Sequence, residues 1–233
     1  MLPQLARLKG MALNLLLPQW CLGCGREGEL ICSSCRDRLP RITSPICPRC
    51  GIPQPSETLC PSCVSCQQVI DGIRSSFRFG GVIRQAIHQL KYRNLRAITG
   101  TLAELLGDYL ATNPVPGEVL VPVPIHQKRL RERGYNQSEL LSRELGGLIK
   151  LPVMADCLTR QKHSLPQART TSISERWSNV AAAFACYDHR LKDKQIILID
   201  DVATSGATLD ACATALKTAG ASSVWGLTIA REV

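Results

Sequence analysis

The stretch "QIILIDDVATSGATL", Gln195 to Leu209, decides how the rest of this chain is read. Ile196 to Ile199 is a short β-branched and apolar run bounded by polar residues, the pattern of a strand buried on both faces of a parallel sheet. Two acids, Asp200 and Asp201, follow at once, and buried carboxylates would be costly there unless they sit at the strand's carboxyl end, where open α/β sheets bind ligands. Ala203-Thr204-Ser205-Gly206-Ala207-Thr208 carries no bulk, so its backbone N–H groups can close around an anion. A helix is expected from Leu209 to Thr218, ended by Gly220. Together these pieces describe a phosphate cradle with hydroxyl-binding carboxylates beside it.

Outward from this stretch the α/β alternation continues. "SFRFGG" reads as a short strand entering a turn, Ile83 to Tyr92 and Thr101 to Leu110 as helices, and "EVLVPVP" as a buried strand. Ser138 to Leu148 has helical spacing and Val224 to Ile229 closes with a strand. The expected fold class is therefore α/β, a parallel sheet covered by helices. The 233 residues divide into a lead-in over 1–18, a cysteine-rich segment over 19–68 and the α/β part over 70–233. Arg7, Lys9 and the run Met11 to Leu17 imitate a bacterial signal peptide, with Cys21 where a lipoprotein cysteine would stand. Pro18-Gln19-Trp20 fits such a cleavage site badly, and Leu5, Leu8, Ala12, Leu15 and Leu16 have the spacing of an amphipathic helix, which is the preferred reading. Met11 to Trp20 is about half the length a membrane span needs and contains Asn14, Pro18 and Gln19, so no transmembrane helix is expected.

Nine of the twelve cysteines lie between Cys21 and Cys66. Their pairs, Cys21/Cys24, Cys32/Cys35, Cys47/Cys50 and Cys60/Cys63, have the two-residue spacing that lets both thiolates of a knuckle reach one tetrahedral zinc. "CLGCGREGELICSSC" aligns with "CPRCGIPQPSETLCPSC", each copy opening on a Cys-x-x-Cys-Gly knuckle and closing on a second pair after an apolar residue. One structural zinc per copy is the simplest inference, because the short loops make sequential pairing cheapest in closure entropy. An interleaved arrangement and a disulfide framework are the alternatives. Cys66 is also spaced as a partner of Cys63, but the repeat alignment selects Cys60 with Cys63. Cys157, Cys186 and Cys212 are scattered and read as ordinary buried residues.

The net charge of +9 is unevenly spread. Arg74, Arg78, Arg84, Lys91, Arg93 and Arg96 fall in a stretch without acids, and Lys128, Arg129, Arg131 and Arg133 form a second cluster offset only by Glu132. Such patches suit a polyanion, a diphosphate or a nucleic-acid backbone, or form a solvated basic face. Were the polyanion single-stranded DNA, Lys91, Arg93, Arg96 and the 128–133 cluster would hold it, with Tyr92, Tyr135 and Trp177 as stacking candidates. His88, His126, His163 and His189 show no mutual spacing that suggests a metal or a triad.

"IILIDDVATSGATL" resembles the phosphoribosyl pyrophosphate motif of type I phosphoribosyltransferases. Taken with the cysteine-rich front, "LKYR", "VPVPIHQKRLRERGYNQSELL" and "QARTTSISERWSNVAAAF", the chain resembles the ComF family from Trp20 to its end; that family includes the GntX-like proteins linked to competence and DNA utilisation. The resemblance implies a double zinc ribbon joined to a phosphoribosyltransferase-like domain, acting in the cytoplasm on transforming DNA. It implies magnesium and phosphoribosyl pyrophosphate as ligands, with a helicase-like motor and a recombination mediator as partners. On that reading Asp200 and Asp201 take the ribose hydroxyls or face the metal through water, and the backbone of Ala203 to Thr208 with the hydroxyls of Thr204, Ser205 and Thr208 takes the 5-phosphate. Arg131, Arg133 and Gly134 stand where related enzymes keep a pyrophosphate loop. Arg160 to Val180 resembles a mobile hood, especially Gln167, Arg176, Asn179 and Val180, with Arg160, Lys162 and Arg169 as hood or surface charges. Arg131, Arg133 and Arg176 would stabilise the leaving group. Two functions stay open: an active transferase with an unidentified acceptor, and a nucleotide-sensing or DNA-handling module without turnover.

Overall fold

A computed structural model describes residues 19–66, 68–160 and 183–233. The expected lead-in helix over 1–18 and the hood residues Lys162, Gln167, Arg169, Arg176, Trp177, Asn179 and Val180 lie outside the described residues. In chain order the elements are α1 (Ser33–Arg36), α2 (Pro61–Ser65), β1 (Gly72–Arg78), α3 (Gly81–Tyr92), α4 (Ile98–Thr112), β2 (Val119–Pro122) and α5 (Gln127–Arg133). There follow α6 (Gln137–Ile149), β3 (Leu158–Arg160), β4 (Phe184–Cys186), β5 (Gln195–Ala203), α7 (Ala207–Thr218) and β6 (Ser223–Arg231). Four strands form a parallel sheet in the order β1-β6-β5-β2, and β3 pairs antiparallel with β4.

The apolar run of β5 is continuous because both of its faces are covered. Ile197 and Ile199 join a core with Leu90 of α3, Leu102 and Leu106 of α4, and Leu141 and Leu145 of α6. Ile196 and Leu198 face the other way, into a core with Leu209, Cys212 and Leu216 of α7 and Phe184 of β4. The outer edge of β1 is covered by the cysteine-rich segment: Ile42 N–H donates to Ser76 O (2.9 Å), Arg78 N–H to Pro40 O (2.8 Å) and Ile73 N–H to Arg49 O (2.7 Å). These bonds close an edge that would otherwise invite a foreign strand.

Two boundaries differ from the sequence expectation, and both bear on the site. β5 does not end at Ile199 but runs through both acids to Ala203, while its neighbour β2 stops at Pro122, opposite Ile199. Among the described residues β5 is open on that side from Asp200 onward, with β6 alone pairing it. The helix after the loop starts at Ala207, two residues earlier than its apolar periodicity indicated.

Candidate functional site

A cleft of about 280 Å³ opens where β5 outruns β2, with Asp200, Asp201, Thr204, Thr208, Ser138 and Lys91 among its walls. Asp200 Oδ1 accepts from Ser138 Oγ (2.9 Å) and from the Asp201 N–H (2.9 Å). Asn136 caps α6 by accepting the Ser138 N–H (3.1 Å), which sets Ser138 in the first turn facing the strand. Asp201 is 4% exposed, and its Oδ1 lies 2.8 Å from Lys91 Nζ. Its Oδ2 is buried and, among the described residues, accepts no hydrogen bond. Burial, and then the neighbouring Asp201 charge, push the Asp200 carboxyl up to about 7, against the opposing pull of Lys91, the Asp201 N–H and Ser138.

Thr204-Ser205-Gly206 turns the chain from β5 into α7. Gly206 has φ +83°, and a Cβ there would stand 2.9 Å from Ile73 Cδ1, so both backbone conformation and space favour glycine. As the residue preceding α7 it brings no side chain to cap the first turn. The Ala207 N–H donates to Ser205 Oγ at 3.4 Å, a long contact. The helix start, with Thr204 and Thr208 on the cleft wall, suits an anion. Two carboxylates and neighbouring hydroxyls are the oxygen donors a hard divalent cation takes, and the unpartnered Oδ2 of Asp201 fits magnesium as an occupant.

Beside the cleft lies a groove of about 270 Å³ between the end of α3 and α5, lined by Lys91, Tyr92, Arg129, Glu132 and Arg133. Lys91 and Arg129 line the cleft as well, so the two basic clusters of the sequence meet at one place. Tyr92 is 65% exposed, with the Arg133 guanidinium 5.8 Å from its ring centre.

The other candidate centre is metallic. Cys21, Cys24, Cys32 and Cys35 bring four Sγ atoms within 4.8 Å of one another, and so do Cys47, Cys50, Cys60 and Cys63. Cys24 Sγ to Cys32 Sγ and Cys50 Sγ to Cys60 Sγ are each 3.6 Å. Thiolates about 2.3 Å from a tetrahedral zinc stand about 3.8 Å apart, so both groups fit that ion. Burial opposes ionisation of Cys21, but the N–H groups of Cys32, Cys24 and Gly23 outweigh it and bring the thiol down to about 6. Cys47 is brought down to about 6 in the same way, its burial outweighed by backbone N–H groups led by those of Cys50 and Cys60.

Residues 12–64 match the family model described as "Double zinc ribbon domain". Competence protein ComFC of Bacillus subtilis (strain 168) is 31% identical over 215 residues, covering 89% of this chain and 86% of that protein. The chain belongs to the ComF family. Competence protein F of Haemophilus influenzae is 30% identical, with 84% of this chain and 89% of the relative covered. Among solved structures, a glutamine phosphoribosylpyrophosphate amidotransferase from B. subtilis superposes with a TM-score of 0.38 at 18% identity, covering 56% of this chain and 26% of that longer one.

In this ComF-family chain the structure gathers Asp200, Asp201, Thr204 and Thr208 in one cleft. Ser205, Gly206 and Ala207 form the adjoining turn. Ala203 is the last residue of β5, and its carbonyl accepts the Glu232 N–H (3.0 Å). The expected pyrophosphate loop is instead a helix: His126 accepts the Lys128 N–H (3.1 Å) and starts α5, which runs to Arg133 and ends on Gly134 at φ +78°. Arg131 is exposed and lines neither cavity, while Arg133 bonds Gln137 and lines the groove. The basic residues that do line the cleft are Lys91, Arg129 and Arg160. Arg160 is half-buried, so it is more than the surface charge its sequence allowed. Tyr135 cannot stack on a base, since it is 6% exposed, donates its hydroxyl to Leu90 O and lies under the Arg96 guanidinium at 4.5 Å. The sequence had no local sign of Ser138 as an Asp200 partner, because that contact spans 62 residues.

Proposed function

We propose that this ComF-family protein serves DNA uptake and use in natural competence, binding phosphoribosyl pyrophosphate with magnesium in the cleft and single-stranded DNA along the adjoining basic groove. The observation that carries the ligand is the acid pair with its bare, buried Asp201 Oδ2, set beside a small-residue loop at the start of α7. Ribose hydroxyls donate to Asp200 and Asp201, and the 5-phosphate takes the Thr204 to Thr208 turn. The diphosphate meets Arg129 and Arg160. A bound magnesium ion would be held by Asp200 and Asp201 and would neutralise part of the diphosphate charge. The names of the relatives support the competence role. That role places the chain in the cytoplasm, where single strands arrive and a helicase-like motor and a recombination mediator work on them.

Calorimetry with Mg²⁺ and phosphoribosyl pyrophosphate tests the cleft. An Asp200→Asn/Asp201→Asn variant should lose about tenfold or more in affinity, because an amide donates where a carboxylate only accepts. Equal binding by wild type and variant removes this reading. The second reading, transfer to an acceptor with loss of pyrophosphate, draws on Arg129 and Arg160, which line the cleft and could stabilise a leaving group. Pyrophosphate release in the presence of candidate acceptors, DNA ends included, decides between binding and turnover.

A further inference from the structure

Lys91 is the one lysine that lines both the cleft and the groove among the described residues. It stands in the last turn of α3, and its ammonium reaches 2.8 Å from Asp201 Oδ1, with side-chain exposures of 22% and 5%. A carboxylate so buried costs several kcal/mol unless a positive charge accompanies it. Here Lys91 is the cation that accompanies it. The other oxygen of the same carboxylate, Oδ2, is buried and has no hydrogen-bond partner among the described residues, so the ion pair with Lys91 is what offsets this charge. A divalent ion that took this carboxylate would supply the compensating charge and repel the ammonium. The four-carbon stem of lysine allows the head group to swing, and the groove it also lines contains exposed Tyr92 and the guanidinium groups of Arg129 and Arg133.

We propose that Lys91 is a cation-exchange switch between the two cavities: Asp201 holds its ammonium in the cleft until a divalent cation displaces it, and the released ammonium then contacts a nucleic-acid phosphate in the groove. The groove half rests on the reading of single-stranded DNA given above. The displacement half needs only the cation. Occupancy of the cleft thus adds one positive charge to the DNA surface.

A double-mutant cycle without added metal tests the groove half, with an oligothymidine probe followed by fluorescence anisotropy across salt. In wild type the lysine is held by Asp201, so Lys91→Met should cost less affinity and less salt slope than the same change made where that ion pair is absent. In an Asp201→Asn background the lysine loses that ion pair. There Lys91→Met should weaken binding about fivefold and flatten the log–log slope by about 0.7, the loss of one phosphate contact. The same Lys91→Met effect in both backgrounds overturns the proposal. Amine-reactive labelling of the full wild-type chain, read by mass spectrometry at constant ionic strength, tests the displacement half without DNA or substitution. Mg²⁺ should raise labelling of Lys91 several-fold, and unchanged labelling overturns the switch. Because neither readout contains phosphoribosyl pyrophosphate, failure of the switch is distinct from failure of the cleft as its binding site.

Discussion

Ile31 and Leu59 hold the same place in the two cysteine repeats, each just before the third cysteine of its ribbon, yet Ile31 is fully buried and Leu59 is 42% exposed. The difference extends to the whole of each copy. Leu30, Ile31 and Leu39 of the first ribbon belong to the core that contains α3 and α4, with Leu22 packed against it. The second ribbon has a cluster of its own, made of its four cysteines with Ile52 against them. It is tied to the sheet by polar contacts: the Ile73 N–H to Arg49 O bond, and the Arg74 guanidinium to Pro48 O (3.1 Å). Even cysteine burial is unequal, since Cys24 of the first site is exposed while all four of the second are buried. Duplicated metal chemistry therefore serves two kinds of attachment, one through the hydrophobic core and one through hydrogen bonds to the ribbon's backbone carbonyls.

Loss of each metal should break that comparison most visibly. Cys21→Ser removes a ligand from the ribbon whose apolar residues are shared with the main core, so whole-chain stability should fall by several kcal/mol. At roughly 2–4 °C per kcal/mol for a chain of this size, the unfolding midpoint drops by about 10 °C or more. Cys47→Ser should leave that midpoint within a few degrees, because the second ribbon contributes so little to either large core. Its opening would appear instead as rapid proteolysis confined to residues 46–66. Circular dichroism melts, zinc analysis and limited proteolysis of the two variants check this, and equal midpoint losses would mean that the attachments do not differ.

Side-chain truncation at the matched positions sharpens the same contrast without touching a metal ligand. Ile31→Ala should cost about 2–5 kcal/mol, the usual range for a large-to-small change in a packed core. Leu59→Ala should cost about 0.5 kcal/mol or less, as for surface changes generally. Denaturant unfolding with a common slope measures both.

How far these features could be read from the sequence follows from how local they are. The acid pair, the small-residue turn and the Cys-x-x-Cys knuckles are each written within a few consecutive residues, and the periodicity of β5 announces a strand covered on both sides. Which arginine of the 128–133 cluster lines the cleft depends on the rotation of α5 about its axis, which the charge pattern alone does not state. Arg129 rather than Arg131 lies on the cleft side. The contacts of Lys91 with Asp201 and of Ser138 with Asp200 arise from packing α3 and α6 against the open side of β5, and no spacing along the chain encodes them. The unequal fate of Ile31 and Leu59 was hidden for the same reason, since the repeat alignment makes them equivalent.

The smallest effect concerns the tie that follows the second ribbon. Asp210 of α7 accepts both the Val69 N–H (2.7 Å) and the Ile70 N–H (2.9 Å) through a single oxygen, Oδ1, and so fixes the chain as it leaves the ribbon for β1. Burial raises the Asp210 pKa, and the two N–H groups with the charges of Arg49 and Lys217 only partly offset it. Because the folded pKa lies above the unfolded one, this group favours the folded state at pH below its unfolded value, and that contribution is lost as pH rises through the folded value. Asp210→Asn keeps a carbonyl oxygen where Oδ1 stands and carries no charge to bury. It should therefore match or slightly exceed wild-type stability at pH 7 to 8, and lose that advantage as pH falls to about 4, near the ordinary carboxyl range. Asp210→Ala leaves two backbone donors without their acceptor and should cost about 1–3 kcal/mol at any pH. Melting curves of the three proteins from pH 4 to 8 separate the charge from the hydrogen bonds. An Asn variant as damaged as the Ala variant at pH 8 would show that the ionised carboxylate itself holds this joint.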